Sequence, residues 1–236
     1  MIPIKDDNPL TIKPIVTIAL IIINCVVFLY AFSLGRHGFT DFTFKYGLIP
    51  AELIQGHDLT PPRYAFLSTS PFLNVFTSMF MHGGFLHLGG NMLYLWIFGN
   101  NIEDVLGHIK FAIFYLLSGI AAVLSFTALS PNSTVPMIGA SGAIAGVLGA
   151  YIVRFPNARV HTIIWLFFII QVIKVPAIIL LGFWFFLQII NSSSALYSTN
   201  GGGVAWFAHI GGFIFGAAVF LIFGLRGRRE SWNYVQ

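Results

Sequence analysis

Between Ile15 and Leu34 the chain runs for twenty residues without a charged side chain. Wound as a helix at about 1.5 Å per residue, such a run reaches about 30 Å, the thickness of the hydrocarbon core of a bilayer. Further apolar stretches follow, and the whole chain is 57% hydrophobic and only 8% charged. A water-soluble domain of that make-up would expose a large apolar surface, so the expectation is a polytopic membrane protein. A cleaved signal peptide is the other reading of the first run, but a twenty-residue apolar core is longer than the usual signal core. The formal net charge of +4 sits on loops and ends. Its partner in this setting is the anionic face of a lipid bilayer, not nucleic acid. The one cysteine, Cys25, rules out a disulfide framework and a thiolate metal site.

The expected fold class is all-α: six transmembrane helices, with a long outer loop between the first and second. The spans read as about 15–34, 85–103, 109–129, 141–155, 174–190 and 205–225. Residues 1–14 form a polar N-terminal tail, 15–225 a membrane domain and 226–236 a basic C-terminal tail. Within the long loop, Phe42 to Leu48 and Ala51 to Ile54 read as short amphipathic pieces lying at the interface. The stretch from Asn157 to Lys174, rich in aromatic and β-branched residues, reads as a connection, strand-like or lying along the interface. Six spans divide the basic residues unevenly. Lys5, Lys13, Lys110, Arg154, Arg159, Lys174, Arg226, Arg228 and Arg229 share one side; Arg36, Lys45 and Arg63 share the other. Both termini are therefore expected in the cytoplasm of a multi-pass protein of the cell membrane, with the loops before the fourth and sixth spans facing outward.

Chemistry concentrates on that outer side. In Met137-Ile138-Gly139-Ala140-Ser141-Gly142-Ala143, a lone hydroxyl sits between residues too small to shield it, where a helix begins. Helix N-terminal amides favour developing negative charge, so Ser141 is a candidate nucleophile. Packing is the plainer reading, since small residues in membrane helices let backbones approach. A nucleophile needs a base, and His209 is the histidine inside a late span. Gly146, Gly149, Gly212 and Gly216 would let the two helices close up. None of the eight acidic residues is placed to orient the imidazole, so the expectation is a Ser-His dyad whose tautomer is fixed by packing or backbone.

A second polar cluster, His82 to Asn91, opens the second span. His87 and Asn91 are four residues apart, hence on one helical face, where an imidazole N–H and an amide can converge on one oxyanion. A metal site is the weaker reading, because no cysteine or carboxylate is nearby and His82 falls on another face. Neither metal nor cofactor is expected.

In order and topology, His82, His87 and Asn91, then Gly139 and Ser141 in Gly-x-Ser-Gly, then His209 with Gly212-x-x-x-Gly216, resemble the rhomboid family of intramembrane serine proteases, of bacterial or archaeal type. The resemblance implies a six-helix rhomboid-like bundle, with Ser141 as nucleophile and His209 as general base and acid. It implies an oxyanion hole from His87, the Asn91 side chain and the Ser141 backbone N–H, and structural roles near the site for His82, Gly139, Gly142, Gly212 and Gly216. Glu103 resembles an acidic residue that members keep at the inner end of this span. Substrates would be transmembrane proteins cut near the outer end of their helices. Two departures stand out: Leu73 and Asn74 replace a Trp-Arg pair of the outer loop, and Ala145 replaces an aromatic that packs on the imidazole, for which Phe213 is the expected substitute. The rival function is a catalytically inactive rhomboid-like chaperone, which should have lost the nucleophile or the base.

Overall fold

The computed structural model describes residues 1–56, 70–166, 169–196 and 206–225. The 226–236 tail, the start of the sixth span at 205, the turn at 197–203 and the charges of Asp58 and Arg63 lie outside the described residues. Strand β1 (Ile2–Asp6) precedes helices α1 (Ile15–Ser33), α2 (Gly35–Tyr46), α3 (Pro50–Gln55) and α4 (Pro71–Thr77). Helix α5 (Phe85–Tyr94) passes through a π turn at Leu95–Gly99 into α6 (Asn100–Leu106), and α7 (His108–Leu129) and α8 (Ser141–Arg154) follow. Strands β2 (Arg159–Leu166) and β3 (Ile169–Pro176) lead into α9 (Ala177–Leu196), and α10 (Trp206–Ile222) comes last.

The helices are arranged inside out. Along α1 the buried residues Thr17, Leu20, Asn24, Phe28 and Ala31 recur at helical spacing and include two polar side chains. Its opposite face, with Ile18, Ile22, Val26 and Leu29, is exposed. Helix α9 repeats the pattern, turning Ile179, Phe183 and Phe186 outward and Gln188 and Ser192 inward. This is the arrangement of a chain whose solvent is hydrocarbon, in which polar groups must find partners inside. Helices α1 and α7 are long and apolar enough to cross a membrane; α8, α10 and the Ala177–Ser192 part of α9 are apolar but shorter.

Helix α8 is the centre. Every residue from Gly142 to Tyr151 is buried, as expected of a helix apolar all round and enclosed by its neighbours. Its closest neighbour is α10, and the contact is backbone to backbone. A Cβ on Gly212 would overlap the Gly142 carbonyl, one on Gly216 the Gly146 carbonyl, and one on Gly149 the Phe213 carbonyl. On the α7 side, a Cβ on Gly142 would come within 2.6 Å of the Ala122 methyl.

At the other end of α8 the expectation of an all-α chain needs correction. The strands form a three-stranded antiparallel sheet in the order β1-β2-β3, with Ile2 opposite Ile163 and Val160 opposite Val175. The 157–174 connection is thus largely a strand pair, because β-branched residues fit a pleated ladder. Part of the N-terminal tail is its edge strand, and residues 174–176 belong to β3, not to a fifth helix. Asp7 clamps the sheet, accepting from Lys174 Nζ at 3.0 Å and meeting His161 Nε2 at 2.6 Å. Those two partners, Lys174 first, hold its carboxyl below the usual range. The Asp6 carboxylate accepts from the Tyr151 hydroxyl of α8, from Asn101 at 2.8 Å and from Asn8 at 3.1 Å. Burial pushes its pKa up against those hydrogen bonds.

Glu103 belongs to the same end. Its buried carboxylate accepts from the backbone N–H groups of Val16 and Thr17 at 2.8 and 2.7 Å and from the Thr17 hydroxyl at 2.7 Å. It thereby satisfies two orphan amides at the start of α1. The π turn offsets the α6 face from the α5 face by part of a turn. One rod can then present His87 and Asn91 at one end and Glu103 at the other.

The α8–α10 contact generates a test. Gly149→Val introduces a side chain where a backbone carbonyl already stands, and a carbonyl cannot swing away as a side chain can. Overpacking of this kind costs about 3 kcal/mol, so thermal unfolding in detergent should show a clear drop in Tm.

Candidate active site

The segment that delivers Ser141 is pinned before the helix begins. Met137 and Leu48 exchange two backbone hydrogen bonds, at 2.7 and 3.1 Å, Ala51 N–H donates to Ser133 C=O at 3.1 Å, and Gly139 N–H donates to Ser78 C=O at 2.9 Å. Gly139 then turns at φ 133°, a conformation side chains rarely adopt. A Cβ there would lie 2.9 Å from His87 Nε2 and 3.5 Å from Ser141 Oγ. Glycine is required twice over, by the backbone and by the space. Helix α8 starts at Ser141, with Ala140 as its cap and no side-chain cap. Its first amides, at the level of Ser141, therefore have no intrahelical partner.

From α10, His209 brings Nε2 to 2.7 Å from Ser141 Oγ. Its other nitrogen, Nδ1, lies 2.8 Å from Gln188 Oε1 of α9. The indoles of Trp184 and Trp206 flank the imidazole, with ring centres 5.9 and 6.1 Å away. Two expectations are corrected here. The orienting partner of His209 is a side-chain amide, where packing or backbone was expected. The aromatic neighbours are tryptophans, whereas Phe213 stacks on Phe185 at 4.3 Å. Sequence reasoning missed Gln188; its signal is a lone amide in the apolar run Ala177 to Ile190.

From α5, His87 and Asn91 face the same space. Gly83 N–H donates to His87 Nδ1 at 3.3 Å, which leaves Nε2 as the protonated nitrogen, on the side of Gly139. Asn91 is buried, and its Nδ2 has no hydrogen-bond partner among the described residues. Ser141, His209, His87, Asn91, Gly139 and Gly142 line one cavity of about 710 Å³, closed by residues of α7, α8, α9 and α10. Gly212 and Gly216 lie instead at the α8–α10 contact. His82 stands behind the cavity wall, its ring edge against His87 at 5.1 Å. Neither of its ring nitrogens has a partner among the described residues, and burial pushes its pKa down to about 3, so it is neutral at physiological pH.

A serine within hydrogen-bond reach of an imidazole, next to two free hydrogen-bond donors and inside an apolar helical bundle, defines a class: a membrane-embedded fold with the parts that acyl transfer would need. Family comparison is more specific. A Rhomboid domain model matches residues 70–226, more than half of the chain. The chain belongs to the rhomboid family. It is 34% identical over 149 residues to Rhomboid protein 1, mitochondrial, of Saccharomyces cerevisiae, which covers 61% of this chain and 40% of that one. It is 36% identical over 144 residues to Rhomboid protease GluP of Bacillus subtilis, covering 61% of this chain and 25% of that one. The presenilin-associated rhomboid-like protein, mitochondrial, of Bos taurus is 35% identical over 88 residues, covering 36% and 23%. Each match spans less than half of the relative's length.

The Gly139 turn gives a direct test of the geometry. Gly139→Ala should displace the His87 ring, which stands where the methyl would go. The 15N signals of the His87 imidazole should shift in the NMR spectrum relative to wild type, and Tm should fall, because alanine is strained at this φ.

Proposed function

We propose that this chain is an intramembrane serine endopeptidase that hydrolyses transmembrane protein substrates with a Ser141–His209 dyad. The observation that carries the reading is the 2.7 Å approach of His209 Nε2 to Ser141 Oγ at the wall of a cavity shared with His87 and Asn91. In the proposed reaction His209 takes the serine proton as Oγ attacks the scissile carbonyl. The oxyanion that forms is met by His87 Nε2–H, Asn91 Nδ2–H and the Ser141 backbone N–H. The imidazolium then protonates the leaving amine, and water, activated by the same base, releases the acyl enzyme.

The membrane reading is six spans, built on α1, the α5–α6 rod, α7, α8, α9 and α10, with residues 1–14 and 226–236 in the cytoplasm. The excess of basic residues at the sheet end of the bundle supports that orientation in a cell membrane. Helix α8 has 14 residues, or about 21 Å, and falls short of the roughly 30 Å hydrocarbon core. Ser141 at its outer start therefore lies below the outer surface, and the cavity supplies the water that hydrolysis needs.

A helical substrate holds its carbonyls in internal hydrogen bonds, so the scissile segment must unwind before it reaches Ser141. The proposed substrates are membrane proteins with one span, cut at or just outside the outer end of the helix, after a small residue. A Gly or Pro a few positions into that helix should help by weakening it.

Two experiments test these statements. A fluorophosphonate probe should label the wild-type protein and not Ser141→Ala, and His87→Ala or Asn91→Ala should lower turnover about 100-fold with the fold intact. Labelling that survives in Ser141→Ala sinks the dyad, and no labelling of the wild type favours the inactive chaperone. In the second experiment one model substrate is presented with its Gly/Pro pair intact or replaced by Leu, with and without chelator. Cleavage should fall with the Leu pair and be indifferent to chelator; equal cleavage of both helices refutes the unwinding step, and chelator sensitivity refutes the serine mechanism.

A further inference from the structure

His209 is held at both nitrogens, and only one of those contacts belongs to the proposed dyad. We propose that Gln188 is a positioning residue, which sets the imidazole tautomer and supports the charge that the imidazole acquires. This rests on the Ser141–His209 reading and adds a third group to it.

The argument runs through the amide's two unlike ends. Gln188 Nε2 donates to the Trp184 carbonyl, one turn back on α9, at 3.2 Å. That hydrogen bond fixes which way the amide faces and leaves Oε1 as the end toward His209, 2.8 Å from Nδ1. An amide oxygen only accepts, so Nδ1 must carry the proton. Nε2 is then the bare nitrogen, and it is the one 2.7 Å from Ser141 Oγ. The opposite tautomer would set the Nδ1 lone pair against an oxygen lone pair and place N–H against the serine hydroxyl. Gln188 therefore selects the tautomer able to accept the serine proton.

Its second effect appears once that proton has moved. The imidazolium keeps Nδ1–H pointed at Oε1, and a hydrogen bond from a charged donor is stronger than one from a neutral donor. An amide suits this place better than a carboxylate. Gln188 is buried, 5% exposed, and a permanent charge there would be costly to desolvate, whereas an amide brings a dipole already aimed. The Trp184 and Trp206 rings restrict tilting of the imidazole. Trp184 takes part twice, with its carbonyl on the amide and its indole on the histidine.

The test compares Gln188→Met, which keeps length but lacks the acceptor, with Gln188→Glu, which restores an acceptor at the same reach. The readouts are kcat and KM on a model transmembrane substrate, the rate of fluorophosphonate labelling, and Tm. Gln188→Met should lower kcat about 10- to 100-fold, the range for loss of a partner that orients a functional imidazole. KM should stay near wild type, and the labelling rate should fall in parallel with kcat, because the probe reports serine activation without substrate docking. Gln188→Glu should recover part of that loss, the remainder reflecting the cost of burying a carboxylate. Wild-type kcat in Gln188→Met overturns the proposal, and so does a Gln188→Glu variant that folds but is as slow as Gln188→Met. Should Gln188→Met not fold, Gln188→Asn, whose oxygen falls one bond short, takes its place with the same two outcomes. Ser141→Ala in the same assay separates the levels: if it still cleaves, the dyad itself fails, whereas its inactivity beside a fully active Gln188→Met removes only the role of Gln188.

Discussion

Two helices that touch backbone to backbone set the rest of this structure. Hydrocarbon gives apolar side chains no reason to prefer one another over lipid, so helices in a membrane associate through close packing and internal hydrogen bonds. Along α8 and α10, glycines remove every Cβ that would hold the axes apart, and the carbonyls of Gly142, Gly146 and Phe213 fill the space. The approach is too close to tolerate a slide of even one side chain. Because Ser141 and His209 stand near the starts of these two helices, the same packing that lowers the energy of the bundle fixes the distance between hydroxyl and imidazole.

The polar groups of the site are a second consequence of the same solvent. Water is scarce around the helices, and each buried polar atom needs a partner or a use. Thr17, Glu103 and His108 satisfy one another at one end of the molecule. At the other end, Ser141, His209, Gln188 and the Trp184 carbonyl form one chain of hydrogen bonds. Asn91 also lines the cavity, and its buried Nδ2 has no partner among the described residues. A donor left unmatched in such surroundings is costly, and it is the donor that the proposed oxyanion would engage.

How far the sequence foretells this depends on how local each signal is. Apolar helices announce themselves by composition over fifteen or twenty residues, and α7 and α8 cover stretches where helices are expected. Ser141 and His209 stand out because a hydroxyl framed by glycines and an imidazole in an apolar run are chemically conspicuous. Gln188 is just as solitary, but a lone amide has many uses in a helix, and only the arrival of His209 from another helix defines this one. Of the sheet, the 157–174 stretch is legible as strand-like, whereas β1 escapes for a related reason. Five residues of β1 show too little alternation to be read, and their partner strand lies on the far side of α8. The exchange of Phe213 for two tryptophans depends on the rotation of α9 and α10 about their axes, which apolar periodicity leaves open when nearly every position is apolar.

The pairing of β1 with β2 also bears on how the molecule is made. Residues 2–6 are made before α1 to α8, and their hydrogen-bonding partners, residues 159–166, follow only after α8 has been synthesised. Until then β1 has no ladder to join, and Asp6 lacks the Tyr151 hydroxyl, whose oxygen also accepts from Asn8. Closure of that knot joins a segment made before α1 to the C-terminal end of the central helix. Residues 2–6 act as a latch that shuts once the centre of the bundle is in place.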